Sequence, residues 1–264
     1  MIKNNLNKEY ISHAIFSDLE LYINFYNSLS NSIFRFMNLG TKVINFETYL
    51  LSSIKGTIES IKLILADGKI NDAYALTRKY DDSVIIHIYA LLYLKNEFNI
   101  EKNMIVEKID NWLSGREKLP TYKDMNKYIR DNLNKLKEIN KLLNDNVYSG
   151  IRKRCNDHTH YNYFQYMISN DNQIFNPRRI TFLDQLSSDI RYIFIKHFIL
   201  LFTLNEIYMM SSDYVDYLDM GQTPPEGTQY LVAPFIQDVF DNIIKVYEKD
   251  LAAEIKKTTY MKLE

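Results

Sequence analysis

Glycine and proline are scarce in this chain, at 7 and 5 of 264 residues. A turn-rich β fold needs them at its hairpins, so their shortage argues against such a fold. Cysteine occurs once, at Cys155, so no intrachain disulfide can form, as suits a reducing compartment. No long apolar run is free of polar interruption. The most apolar stretch, Tyr192 to Met210, carries Lys196, His197, Asn205 and Glu206, and reads as a buried helix rather than a membrane span. The first residues, Met1 to Glu9, lack the apolar core of a signal peptide, so the expected location is cytoplasmic. The chain also lacks a phosphate-cradling glycine loop, a Gly-x-Ser-x-Gly elbow, a His-Glu-x-x-His pair and a dinucleotide fingerprint. Nucleotide hydrolases, serine hydrolases and dehydrogenases therefore find no support. Internal repeats, long heptad runs and low-complexity segments are missing as well.

Apolar residues make up 46% of the chain, enough for a sizeable core. They recur at three- and four-residue spacing. Ile15, Leu19, Tyr22, Tyr26, Leu29 and Ile33 mark a helix from about Lys8 to Leu39. Further helices are expected over Phe46 to Ala66, Asn71 to Phe98, Met104 to Leu113, Tyr122 to Asn132 and Leu133 to Leu143. Others follow over Tyr148 to Ile168, Phe182 to Leu218 and a last segment ending near Lys257. Asn170 to Arg179 and Gly221 to Gly227 read as loops. The expectation is an all-α bundle in a single domain, residues 1–264.

The net charge of −1 hides an asymmetry. Gly115 to Arg154 holds eleven basic residues against five acidic ones, a local charge of +6. Asn205 to Glu254 holds ten acidic residues against two lysines, or −8. A basic block attracts phosphates even in a near-neutral chain, although a solvated helix face explains it equally well.

The stretch Arg152 to His160 gathers three cations (Arg152, Lys153, Arg154), Cys155, Asn156, Asp157, His158 and His160. Histidine moves protons near neutral pH, and arginine offers a planar fork for phosphate oxygens. Cleaving RNA without a metal needs both functions, a base for the 2′-hydroxyl and a cation for the transition-state charge. At about 100° per residue Arg154 shares a face with His158, and Asn156 with His160, whereas Arg154 and His160 stand about 240° apart. The last pair converges only if a helix begins within the motif or two copies meet. Cys155, Asp157, His158 and His160 are all possible zinc ligands. Successive His-x-His rings diverge on a helix, however, and no second cluster completes four ligands, so no metal and no cofactor are expected. The bland alternative is a basic helix start, capped by Asn156 or Asp157.

This segment resembles the signature of the HEPN superfamily, Arg followed after four to six residues by His. Arg154 to His160 and Arg152 to His158 both fit, and the first is preferred because Asn156 and Asp157 then fall between the pair. Gly68 to Arg78 also resembles a glycine–polar–Ala–Leu–Arg helix of HEPN-like bacterial proteins. The resemblance spans about Phe46 to Ile168. It implies a HEPN-like helical bundle with its core over about 46–218, and a metal-independent endoribonuclease acting as a homodimer in a bacterial toxin or antiviral-defence system, with an antitoxin or another defence protein as its partner. Arg154 and His160 would then be catalytic, with Asn156 orienting the histidine and His158 as the alternative in the second register. Arg152, Lys153 and Tyr161 would bind RNA, and Arg78 and Asp82 would support the site. Thr159 and Tyr161 depart from the small residues that often flank the family's histidine. The rival reading is a non-catalytic helical adaptor or regulatory subunit.

Among the other candidates, Arg78 and Asp82 are expected to form an intrahelical ion pair. His13, His87 and His197 are expected as hydrogen-bonded core residues. Tyr161, Tyr163 and Tyr166 read as core or as platforms for stacked bases.

Overall fold

In the computed structural model, residues 6–101, 104–133, 137–143, 145–174 and 176–264 are described. The fold is all-α. The helices are α1 Lys8–Ile11, α2 Ile15–Ser32, α3 Phe46–Ala66, α4 Ile70–Glu97, α5 Glu107–Leu113, α6 Tyr122–Asn132 and α7 Lys137–Leu142. They continue with α8 Asp145–Thr159, α9 Phe164–Met167, α10 Arg179–Leu204, α11 Ser212–Asp219, α12 Pro234–Val239, α13 Lys245–Tyr247 and α14 Lys249–Thr258. Among the described residues, β pairing is limited to two isolated bridges, Met210 with Val232 and Leu231 with Lys262. No helix among them is long and apolar enough to cross a membrane.

The internal contacts divide the chain into two compact units. Unit 1 comprises residues 1–27, 51–84 and 144–194, and unit 2 comprises 28–50, 85–143 and 195–264. In unit 1, Leu51, Ile54, Ile58, Ile61 and Leu65 form a fully buried stripe on α3. The Tyr22 ring stacks on Phe194 at 4.2 Å, and the Tyr26 and Tyr80 hydroxyls share a hydrogen bond of 2.8 Å. In unit 2, Phe198 and Phe202 of α10 meet edge to face at 4.7 Å, and Ile236, Phe240 and Ile255 are fully buried.

Several boundaries follow from local chemistry. Gly68 ends the α3 connection with φ +81, and a Cβ there would stand 2.9 Å from the Asn172 Cβ, so only glycine fits. Thr121 caps α6, its Oγ1 accepting from the Asp124 N–H at 3.3 Å.

Other boundaries correct the sequence reading. The expected helix over Lys8 to Leu39 is interrupted after Ile11, because Asn7 caps α1 and His13 Nδ1 accepts from the Ile15 N–H at 3.1 Å. Such side-chain acceptors compete with the continuing helix. The expected helix over Phe182 to Leu218 is two helices and a 3-10 turn, Glu206–Met209. Tertiary backbone pairing draws the chain out there, since Ser211 N donates to Leu231 O and Ala233 N to Met209 O, each at 2.8 Å. The last helix likewise breaks at Glu248, with φ −141. Residues 134–136, part of the expected helix over 133–143, and Phe175, within the expected loop, lie outside the described residues, as does Lys135 of the basic block. The rest of that block divides between the units, Arg116 to Lys141 in unit 2 and Arg152 to Arg154 in unit 1.

Candidate active site

Helix α8 sorts its residues by face. Ile151, Cys155 and His158 point into unit 1, while Lys153 and His160 are exposed. Both signature arginines are turned toward carboxylates. Arg152 Nη1 donates to Asp82 at 2.7 Å and to Asp81 at 3.2 Å. Arg154 grips Asp189 of α10 through two bonds, Nε to Oδ2 at 2.8 Å and Nη2 to Oδ1 at 2.5 Å. Asp189 is buried and also accepts from Gln185 Nε2 at 3.0 Å. Burial pushes its carboxyl up, and the hydrogen bonds from Arg154 oppose that rise; those same bonds hold the Arg154 guanidinium above its ordinary value. The intrahelical pair expected between Arg78 and Asp82 is not formed, because Arg152 reaches Asp82 from α8.

His158 is 2% exposed and sandwiched between two tyrosines. Its ring lies 3.8 Å from Tyr74 and 3.9 Å from Tyr166, nearly parallel to both, and its Nδ1 meets Asn71 Oδ1 at 2.9 Å. Burial lowers its pKa to about 4, with Asp157 opposing. The Cys155 thiol is pushed up by burial and stays protonated, so it is neither a nucleophile nor a ready metal ligand. Among the described residues, no group of three or more His, Cys, Asp or Glu is arranged to hold a metal ion.

The motif lies at the end of a helix, not at its start, which corrects both the capping alternative and the expected helix through Ile168. His160 N still donates to Asn156 O at 2.9 Å. Tyr161 then takes φ +51, Tyr161 N donates to His158 O, and Asn162 N donates to Asp157 O. This is a Schellman stop with tyrosine where glycine is usual, and a side chain in that left-handed position costs about 1 kcal/mol. The absence of glycine hid the stop from sequence reasoning. Beyond it Tyr161, Tyr163, Phe164 and Met167 are exposed, whereas Tyr166 is occupied by His158. Asn156 is partly exposed, and its Oδ1 is buried without a hydrogen-bond partner.

No family model matches this chain. Neither the curated proteins nor the solved structures yield a match.

Unit 2 holds a second titratable cluster that sequence reasoning did not assemble. Glu47, in the first turn of α3, accepts from His87 Nε2 at 3.0 Å, from the Tyr208 hydroxyl at 2.5 Å and from Asn38 Nδ2. His87 Nδ1 meets His197 Nε2 at 2.9 Å. Glu47, His87 and His197 are each at most 1% exposed. Sequence alone marks His87 and His197 only as core histidines, and the one signal of the cluster is a glutamate at the head of an apolar helix. Burial, assisted by the neighbouring His87, drives His197 well below the ordinary imidazole value.

Buried His158 and His197 set an acid limit. The His158 pKa is lowered in the fold, so its neutral form contributes stability that is fully present above pH ~6.5 and is lost as pH falls toward about 4. The loss from His158 alone is about 2 kcal/mol by pH 5, and His197 adds to it in the same direction. Urea midpoints should therefore fall steadily between pH 7 and pH 4.5. His158→Gln should flatten part of that slope, and an unchanged midpoint across the range would refute neutral burial.

Proposed function

We propose that unit 1 binds single-stranded RNA at the α8 C-terminus and cleaves it without a metal, as the HEPN resemblance implies. The observation that carries this reading is the exposed face of α8. Lys153 lies on that face, and exposed His160 follows seven residues later, directly after the last residue of α8, with Asn156 between them. His160 is the proton carrier, and Lys153 takes the phosphate role that the resemblance implies for Arg154, whose fork is committed to Asp189. Exposed Tyr161, Tyr163 and Phe164 supply flat faces for bases.

In the step proposed, His160 takes the proton from a 2′-hydroxyl, and the 2′-oxygen bonds to phosphorus. The P–O5′ bond breaks, leaving a 2′,3′-cyclic phosphate and a 5′-hydroxyl whose proton comes from water. Lys153 offsets charge on the phosphate oxygens. A homodimer would place two such faces near one two-fold axis, isologous pairing being the commonest arrangement. Action on cytoplasmic RNA in a toxin or defence setting, with a protein partner that restrains it, belongs to this same reading.

The non-catalytic adaptor is favoured by one observation, the neutralisation of Arg152 and Arg154 by Asp81, Asp82 and Asp189. Incubation with total RNA in EDTA separates the two. Cyclic-phosphate ends support the nuclease, and a light-scattering mass of two chains supports its dimer. Intact RNA at high protein concentration leaves the adaptor.

A further inference from the structure

Unit 1 contains a buried cation without a counter-charge. Arg179 is the first residue of the 26-residue helix α10 and is 7% exposed. Its Nη2 donates to the carbonyls of Asp171 and Ile174, at 2.5 and 3.3 Å. Its buried Nε has no hydrogen-bond partner. Among the described residues no carboxylate pairs with it, in contrast to Arg152 and Arg154 of the same unit. The Tyr10 ring lies 6.0 Å from the guanidinium and offers only its face. A guanidinium withdrawn from water without an anion is costly, and an unmade bond at Nε adds to that cost.

A second donor stands beside it. Asn176 Oδ1 accepts from the Arg178 N–H at 3.0 Å, which fixes the amide, and its buried Nδ2 has no partner. Asn176, Pro177, Arg179 and Ile180 line a pocket of about 250 Å³ with Asn7 and Glu9 across from them. Glu9 is exposed and forms no ion pair with Arg179. In the first turn of α10 the Arg179 N–H already donates to Asn176 O at 3.2 Å, so the N–H groups of Ile180 and Thr181 are the ones without an intrahelical acceptor, and the helix dipole favours negative charge there.

All these groups donate, and they come from three separate sources: a guanidinium edge, a side-chain amide and a helix N-terminus. A ligand with several terminal oxygens answers them together, and the volume leaves room for a small organic group. We infer that this pocket binds a phosphate, either inorganic or as the terminal group of a small phosphomonoester. The site does not depend on RNA cleavage, though a 5′-phosphorylated RNA end carries the same group.

The test is the melting temperature of the full chain in inorganic phosphate against chloride of equal ionic strength. Asn176→Asp is the main variant. It keeps the Oδ1 acceptor for Arg178 and puts a negative charge where the anion would sit, so the fold is retained and phosphate is repelled. Phosphate should stabilise the parent chain and bind Asn176→Asp at least tenfold more weakly. Arg179→Gln should behave likewise, and if it fails to fold, Asn176→Asp still decides. Equal shifts in the parent and Asn176→Asp would mean a general salt effect and would overturn the site; so would no shift in the parent. Ribose 5-phosphate and paired 5′-phosphoryl and 5′-hydroxyl oligonucleotides then distinguish the source. Binding of phosphate alone identifies the free ion, and preference for either ester identifies that ester.

Discussion

Replacing His160 by alanine is expected to slow RNA cleavage by about two to four orders of magnitude, the usual loss for a positioned acid–base group. The protein should remain folded, because His160 is exposed and its backbone N–H bond to Asn156 O does not involve the imidazole. That separation matters at this motif. His158→Ala would also abolish activity, but by emptying the stack between Tyr74 and Tyr166, at a cost of a few kcal/mol. Arg154→Ala would strand the buried Asp189 carboxylate, with a similar effect on folding. Rates are therefore to be compared only among variants whose urea midpoints match the parent. Lys153→Ala should weaken RNA binding and reduce its salt dependence, since it would act through phosphate attraction. A His160→Ala protein that cleaves at the parent rate would sink the assignment of His160 as the catalytic base.

Glu47→Ala is expected to be the most destabilising single change in unit 2, by about 3–5 kcal/mol. Three donors converge on this carboxylate, from His87, Tyr208 and Asn38. Its removal leaves the buried His87 of α4 and Tyr208 of the 3-10 turn after α10, with half-buried Asn38 before α3, without that acceptor. A loss of that size is a large share of the stability of an ordinary domain. Glu47→Gln keeps one oxygen and the shape, so it should cost less. Urea unfolding of the two variants at pH 7 measures the difference. If Glu47→Ala costs under about 1 kcal/mol, the cluster is not a structural keystone of unit 2.

The helical character of the chain was legible because it depends on local terms. Scarce breakers and a three-to-four-residue apolar period bias each segment separately. The ends of α3, α4 and α6 were close to expectation for the same reason. Boundaries failed where distant groups intervened. The separation of α10 from α11 depends on backbone bonds to residues 231 and 233, and no local pattern encodes those. The same division holds for the candidate site. Sequence alone concentrated cations and histidines in Arg152 to His160, and so determined where chemistry was to be sought. It could not tell which side chains were free to act, because that depends on partners far along the chain. Asp189 lies 35 residues from Arg154, Asp82 lies 70 from Arg152, and Asn71 lies 87 from His158. Only the tertiary structure brings these groups within hydrogen-bonding distance, where desolvation favours pairing of what is buried. It thereby turned Arg152, Arg154 and His158 inward as structural groups and left Lys153 and His160 facing solvent.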